Sequence, residues 1–276
     1  MEARSYAFRV GKIECAVLLD GASVMGRAGI LKRFPGATEA DYERAYADLG
    51  LSLDEADTSF NTLVAKVGSD IVLVDAGEGG RPKGGLLPES LRLAGIEPEA
   101  VTRVVITHAD GDHVHGLLTP DERPTFPNAT YVLSSRELAY WQGRINAGIV
   151  NHRPYLDLMR AQGLRLIEGD AEILPGVSAV DIGGHTPGHT AVLIESRGEK
   201  VIHLADLLHS PMQFAHPEWS ASFDVDTSVS VPTRRAALGR AADEDMLAVF
   251  YHLTFPGLGR VRRAGTGFAW EPVKPG

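Results

Sequence analysis

The sequence predicts an α+β fold in which two β-rich halves pack sheet on sheet, with helices on the outside. Three observations carry this reading. Strand-like runs flank a helical stretch in each half of the chain. The run Val104-Val105-Ile106 is wholly apolar, as befits a strand buried on both faces. No Gly/Ser linker, charge block or repeat of 20–50 residues interrupts the 276 residues. The chain therefore reads as one domain over 1–276, with N-terminal strands and a helical excursion in 1–60 and the remaining core in 61–276.

Taken in order, Phe8–Leu19 is strand material interrupted at Gly11-Lys12, and Gly26–Gly36 is an irregular crossing. Thr38 and Asp41 form a capping-box start, and Tyr42, Ala45, Tyr46 and Leu49 follow at helical spacing. Thr62–Val67 and Asp70–Val74 are strands around a Gly68-Ser69 turn that end in Asp75-Ala76-Gly77. Pro88–Ala94 is a short helix with Pro in its first turn and Gly95 behind it. The buried strand at 104–106 runs into Thr107-His108-Ala109-Asp110-Gly111-Asp112-His113. A strand at Thr130–Leu133 and helices at Ser135–Trp141 and Pro154–Gln162 follow, with Ser134-Ser135 as a helix cap. Beyond Gly163 come strands at Leu164–Ile167, Val177–Asp181, Ala191–Glu195 and Lys200–Leu204. A helix at Thr233–Ala242 and a strand at Met246–Tyr251 complete the pattern.

Composition narrows the function. Lys+Arg number 27 against 36 Asp+Glu, a net charge of −9, which disfavours a nucleic-acid binder that tracks phosphates. Cys15 is the single cysteine, so neither an internal disulfide nor a thiolate metal cage is available. No apolar run approaches the roughly 20 residues of a membrane helix. The start Met1-Glu2-Ala3-Arg4-Ser5 lacks a hydrophobic signal core, so a cytoplasmic protein with no membrane contact is expected. A homodimer is compatible with this composition.

The 10 His acquire meaning from their placement with Asp at strand ends. His108-x-Asp110-x-Asp112-His113 puts four potential ligands within six residues. His185 lies in Gly183-Gly184-His185-Thr186-Pro187-Gly188-His189, and Asp206 and His252 each follow a predicted strand. Imidazole and carboxylate without thiol suit Zn²⁺, Mn²⁺ or Fe²⁺ at a catalytic site. Seven ligands exceed the needs of one tetrahedral ion and suit two ions sharing a carboxylate, which together acidify a water and polarise a substrate oxygen. His115 is a weaker substrate-facing candidate. His189 and His203 read as structural, and His152, His209 and His216 as loop or surface residues. Gly77-Glu78-Gly79-Gly80 lacks the Lys-Ser/Thr of a P-loop and reads as a close-approach turn.

These ordered segments resemble the metallo-β-lactamase superfamily. The resemblance covers about Asn61 to Gly276 and implies a four-layer αββα sandwich with a dinuclear metal site at one edge of its sheets. Matched residue by residue, it implies that one ion takes His108, Asp110 and His185 and the other takes Asp112, His113 and His252, with Asp206 bridging. Asp75 of Asp75-Ala76-Gly77 corresponds to a supporting carboxylate. The segments Ala205-Asp206-Leu207-Leu208-His209, Gln213-Phe214, Phe223-Asp224-Val225-Asp226 and His252–Gly259 resemble the methyl-parathion-hydrolase-like branch, related to quorum-quenching lactonases. That likeness implies hydrolysis of a small ester, lactone or phosphotriester by a metal-bound hydroxide, with Asp112 and Asp206 in the catalytic centre. Two divalent ions are expected, zinc by family.

One position departs. Asp110 stands where the family carries a second His, which moves the first site toward harder ions such as Mn²⁺ or Fe²⁺. Phe214 and Phe255, in site-bearing segments, are candidates to line an apolar pocket for a small-molecule substrate. An iron-dependent oxygenase or redox enzyme on the same scaffold is the alternative activity, and a metal-binding protein with a decayed site the non-catalytic one.

Overall fold

The computed structural model describes residues 2–80 and 84–273. Strands β1 (Arg4–Val10), β2 (Ile13–Gly26), β3 (Glu55–Val67), β4 (Asp70–Val74), β5 (Arg103–Val105), β6 (Thr130–Ser134) and β7 (Leu164–Ile167) form one sheet in that order. Its first four strands are antiparallel, and β4 to β7 are parallel. Strands β8 (Ala171–Leu174), β9 (Val177–Asp181), β10 (Thr190–Ser196), β11 (Glu199–His203), β12 (Leu247–Val249), β13 (Leu258–Ala264) and β14 (Gly267–Pro272) form the other, with β11 and β12 its parallel pair.

The helices are α1 (Arg27–Ile30), α2 (Glu39–Asp48), α3 (Leu87–Leu93), α4 (Gly111–Val114), α5 (Ser135–Asn146), α6 (Arg153–Ala161), α7 (Met212–Ala215) and α8 (Thr227–Asp243). The expected capping box is present, with Asp41 N–H donating to Thr38 Oγ1 and Thr38 N–H donating to Asp41 Oδ2. Ser134 is the N-cap of α5 but makes no side-chain capping bond, so that part of the cap reading is corrected.

Strand alternation builds the layers. On β5, Val104 faces α3, α5 and α6 through Leu91, Trp141 and Met159, while Val105 faces the opposite sheet. On β10, Val192 and Ile194 join Val105, Val72 and Val17 between the sheets, and Ala191 and Leu193 meet α8 through Leu238 and Ala241. Burying one such aliphatic side chain contributes about 1.5–3 kcal/mol. The order helix, sheet, sheet, helix is the expected αββα sandwich. A separate cluster of Ile30, Phe34, Tyr42, Tyr46 and Met212 seats the N-terminal excursion against α7. Among the described residues no helix is long and apolar enough to cross a membrane.

Several expected boundaries moved. Strand β3 begins at Glu55 rather than Thr62, because its polar prefix pairs with the far end of β2. Helix α8 begins at Thr227, capped by Asp226, and carries Pro232 inside it. The Gly77–Gly80 stretch is a close-approach turn, since a Cβ on Gly77 would stand 2.4 Å from Cγ of Asp20.

Candidate metal centre

Turns leave the two sheets along a shared edge, and main-chain bonds sew them together there. Thr190 N–H donates to Thr107 O at 2.9 Å, and Asn61 N–H donates to Tyr251 O at 2.9 Å. Asp75 and Ala205, at the ends of β4 and β11, are held at φ of 64° and 43°. Left-handed backbone in non-glycine residues is costly and persists where the surroundings over-determine it.

Asp206 is the hub. Its Oδ2 lies 3.0 Å from Nε2 of His252, 3.0 Å from Nε2 of His209, 3.6 Å from Nε2 of His185 and 3.7 Å from Nε2 of His108. Its Oδ1 lies 3.1 Å from Nε2 of His113. Asp110 Oδ2 stands 3.4 Å from His185 Nε2 and 3.7 Å from His108 Nε2. Asp112 Oδ2 stands 3.5 Å from His252 Nε2 and 3.8 Å from His113 Nε2. The other six side chains singled out by spacing therefore gather around the carboxylate of Asp206.

The donor chemistry fits divalent cations. Nε2 of His108, His113 and His185 and Oδ1 of Asp206 are buried with no hydrogen-bond partner among the described residues. Buried polar atoms are ordinarily bonded, so these converging orphans need a ligand. Atoms bound to a tetrahedral ion at zinc distances stand about 3.3 Å apart, which the spacings above bracket. Charge points the same way. Burial opposes ionisation of Asp206, yet His252, His113 and His108 hold its carboxyl well below the usual range. Burial likewise opposes the charge of His185, but the neighbouring carboxylates of Asp110 and Asp224 raise its pKa to about 10. The pocket thus attracts positive charge.

The rings are oriented from behind. Asp75 Oδ2 accepts from Nδ1 of His113 at 2.8 Å, and its two oxygens also take the N–H and Oγ1 of Thr107. Asp224 Oδ1 lies 3.1 Å from Nδ1 of His185. Buried Arg234 holds Asp224 at 2.9 Å and also donates to the carbonyls of Leu207 and Pro217. Buried Glu137 joins the two His-bearing turns, accepting from Ala109 N–H, Gly188 N–H, Thr186 Oγ1 and Trp141 Nε1. A Cβ on Gly188 would stand 2.3 Å from the Glu137 nitrogen, so only glycine fits that turn. Asn61 Nδ2 fixes the turn carrying His252 by donating to the carbonyls of Phe250 and Leu253.

The structure corrects several expectations. His209 is buried rather than a surface residue, because the 3₁₀ turn Ala205–Leu207 starts a path that returns it onto Asp206. His152 is also buried, stacked on Trp141 with ring centroids 4.6 Å apart. His115 packs on His152 and Tyr155. Phe214 is buried and stacks on Trp270 in the core beneath α8. Phe255 packs against the inter-sheet core. Three aromatic rings of the described residues pack on the centre: Tyr251 at 4.0 Å from His113, Phe60 at 5.7 Å from His252, and Phe223 at 4.5 Å from His209 and 5.9 Å from His185 between centroids. His189 and His203 make the expected structural bonds, to Asp206 N–H and to Asn61 O.

A profile of the metallo-beta-lactamase superfamily matches residues 56–252. The chain belongs to this superfamily. Among curated relatives, an N-acyl homoserine lactonase of a Bacillus species is 27% identical over 143 residues, which is 51% of this chain and 52% of the relative. The chain thus spans about half the length of the lactonase relatives it matches. A probable metallo-hydrolase of Mycobacterium tuberculosis is 26% identical over 239 residues, covering 70% of this chain and 74% of the relative. Among solved structures, AidC, a dizinc quorum-quenching lactonase in complex with a product, superposes with a TM-score of 0.87 at 26% identity over 99% of this chain and 98% of that one. The hydrolase AbOPH superposes with a TM-score of 0.90 at 24% identity, over 100% of this chain and 99% of that one, which speaks for the fold. This metallo-beta-lactamase fold carries its His/Asp cluster at the sheet edge described above.

Proposed function

We propose that the chain is a hydrolase of small lactones that works with two divalent ions. The observation that carries this reading is the convergence of six His and Asp side chains around Asp206, with Nε2 of His108, His113 and His185 left unbonded. His108, Asp110, His185 and Asp206 are assigned to one ion, and Asp112, His113, His252 and Asp206 to the other. Two such ions supply Lewis acidity and a water acidic enough to attack at neutral pH. The likeness to lactonases over the catalytic segments supports a cyclic ester as the substrate class.

The chain's own groups then divide the work. Asp206 fixes the spacing of the two halves of the centre. Asp112, whose side chain is 23% exposed, orients the attacking water. Asp75 and Asp224 hold the Nδ1 protons of His113 and His185 so that Nε2 points inward. Asp110 adds a third carboxylate, which favours manganese or iron at the first position more than an imidazole would.

Elemental analysis of protein purified without added metal, followed by a panel of lactone, aryl ester, phosphotriester and β-lactam substrates, tests this reading. Ring opening of a lactone at two metal ions per chain is expected. An inert panel with Zn²⁺, Mn²⁺, Fe²⁺ and Co²⁺ each supplied overturns it.

A further inference from the structure

We propose that Tyr251 is a positioning residue for one half of the metal centre: it ties together Asp112, His113, His252 and Asp206, the four ligands assigned to the second ion. The inference rests on the two-ion reading and adds the residue that sets the geometry of that position.

Helix α4 is a single turn, Gly111–Val114, yet it carries both Asp112 and His113. The carbonyls at a helix end have no partner within the helix, so one turn must be held from outside. Gly111 O accepts from His115 N–H, and His113 O accepts from Ala76 N–H at 2.9 Å. Asp112 O accepts from the Tyr251 hydroxyl at 2.5 Å, a bond that spans 139 residues of sequence and joins the turn to the opposite sheet.

Tyr251 lies two residues past β12 and is fully buried. Its ring packs on the His113 imidazole at 4.0 Å between centroids, tilted by 31°. Phe60 backs that ring at 5.9 Å and meets the His252 ring edge-on. Tyr251 N–H donates at 3.3 Å to the carbonyl of Ala205, the residue before Asp206, and His252 follows Tyr251 in the chain. One residue therefore bonds to, packs on or adjoins every segment that supplies a ligand to the second ion. The ligands of the first ion are braced differently, His185 by Asp224 and the turns of His108 and His185 by Glu137.

The hydroxyl and the ring do separate things. Without the hydroxyl, the Asp112 carbonyl loses a buried partner and the turn can rotate, which moves the Asp112 carboxylate relative to His252. Without the ring, the His113 imidazole loses the surface that fixes its plane. Groups that orient metal ligands from behind govern metal affinity by roughly 10–100-fold.

The test titrates metal-free protein with Zn²⁺ against a chromophoric chelator, for the wild type, Tyr251→Phe, Tyr251→Leu and Tyr131→Phe. The last deletes the hydroxyl of another fully buried tyrosine, which donates to Gln162 in the core on the helix side of its sheet. His252→Ala, which lacks a ligand of the second position, identifies the binding step that belongs to it. Tyr251→Phe keeps volume and ring, and should weaken the second ion about tenfold while leaving the first unchanged. Tyr251→Leu should weaken the second ion by about 100-fold, and Tyr131→Phe should leave both unchanged. With both positions saturated, Tyr251→Phe should lower kcat on a lactone at unchanged KM, because Asp112 orients the water and does not hold the substrate. Wild-type affinity for both ions in Tyr251→Phe, or equal weakening of the two, overturns the proposal. Selective weakening in a protein whose wild type opens no lactone would instead overturn the lactonase reading and leave the role of Tyr251 standing.

Discussion

Oδ2 of Asp75 sits 2.8 Å from Nδ1 of His113, with both residues fully buried, so the carboxylate fixes which nitrogen of the ring faces Asp206. A ligand imidazole held this way keeps its tautomer and its basicity. Asp75→Asn should weaken the ion at the Asp112, His113 and His252 position by about 10–100-fold while affecting the other less. Chelator competition followed by metal analysis measures this. Equal weakening of both ions would mean that the change acts on the fold and not through the His113 ring.

Asp110 is 35% exposed on its side chain and lies within 3.7 Å of two imidazole nitrogens. Burial opposes its charge, but the His108 and His185 imidazoles beside it hold its carboxyl well below the usual carboxylate range. With Asp112 and Asp206 it sets three negative charges against the four of two divalent ions. Asp110→His removes one, so the variant should prefer Zn²⁺ over Mn²⁺ more than the parent does. Competition between the two metals reads the shift, and an unchanged preference would show that Asp110 does not set it.

Glu137 accepts three bonds from the two turns that carry His108 and His185 and a fourth from Trp141 on its own helix. A glutamine there turns one acceptor into a donor that faces other donors. Leaving buried donors unmet costs on the order of 1–3 kcal/mol each. Glu137→Gln should therefore lower stability by about 2–4 kcal/mol in a urea titration and weaken metal retention with it. Wild-type stability would remove Glu137 from the support of the centre.

Burial pushes the Cys15 thiol up to about 12 from 9.0, against a small opposing pull from Arg9. The native state keeps this proton after the unfolded chain has lost it. Its stabilising contribution is complete below pH 9 and fades as pH rises toward 12. At pH 8 the native protein should alkylate with iodoacetamide on the order of a thousandfold more slowly than the protein in denaturant. Comparable rates would mean that the segment of β2 opens readily.

The sandwich was readable because strand alternation and buried apolar runs need no knowledge of partners. Strands β13 and β14 were not, since Arg260, Arg262 and Arg263 disguise an alternating edge whose charges pair with Asp243, Asp245 and Glu271. Pro232 hid the first turns of α8, because proline inside a helix reads as a boundary. The His/Asp set stood out because its members cluster at strand ends in short segments. His209 had no local signal, since the 3₁₀ turn ends at Leu207 and Leu208 is extended. Tyr251, Glu137 and Arg234 had none either. Their partners lie 139, 49 and 10 residues away in sequence, and only tertiary folding brings them together.

The central claim is a two-ion centre that opens lactones. The most direct measurement is metal stoichiometry and lactone ring opening on the same preparation, for the wild type and for His185→Ala and His252→Ala. Two ions per chain with measurable turnover are predicted for the wild type, and each variant should lose one ion and most of the activity. Full activity in either variant, or wild-type protein that opens no lactone while holding two ions, would contradict the account.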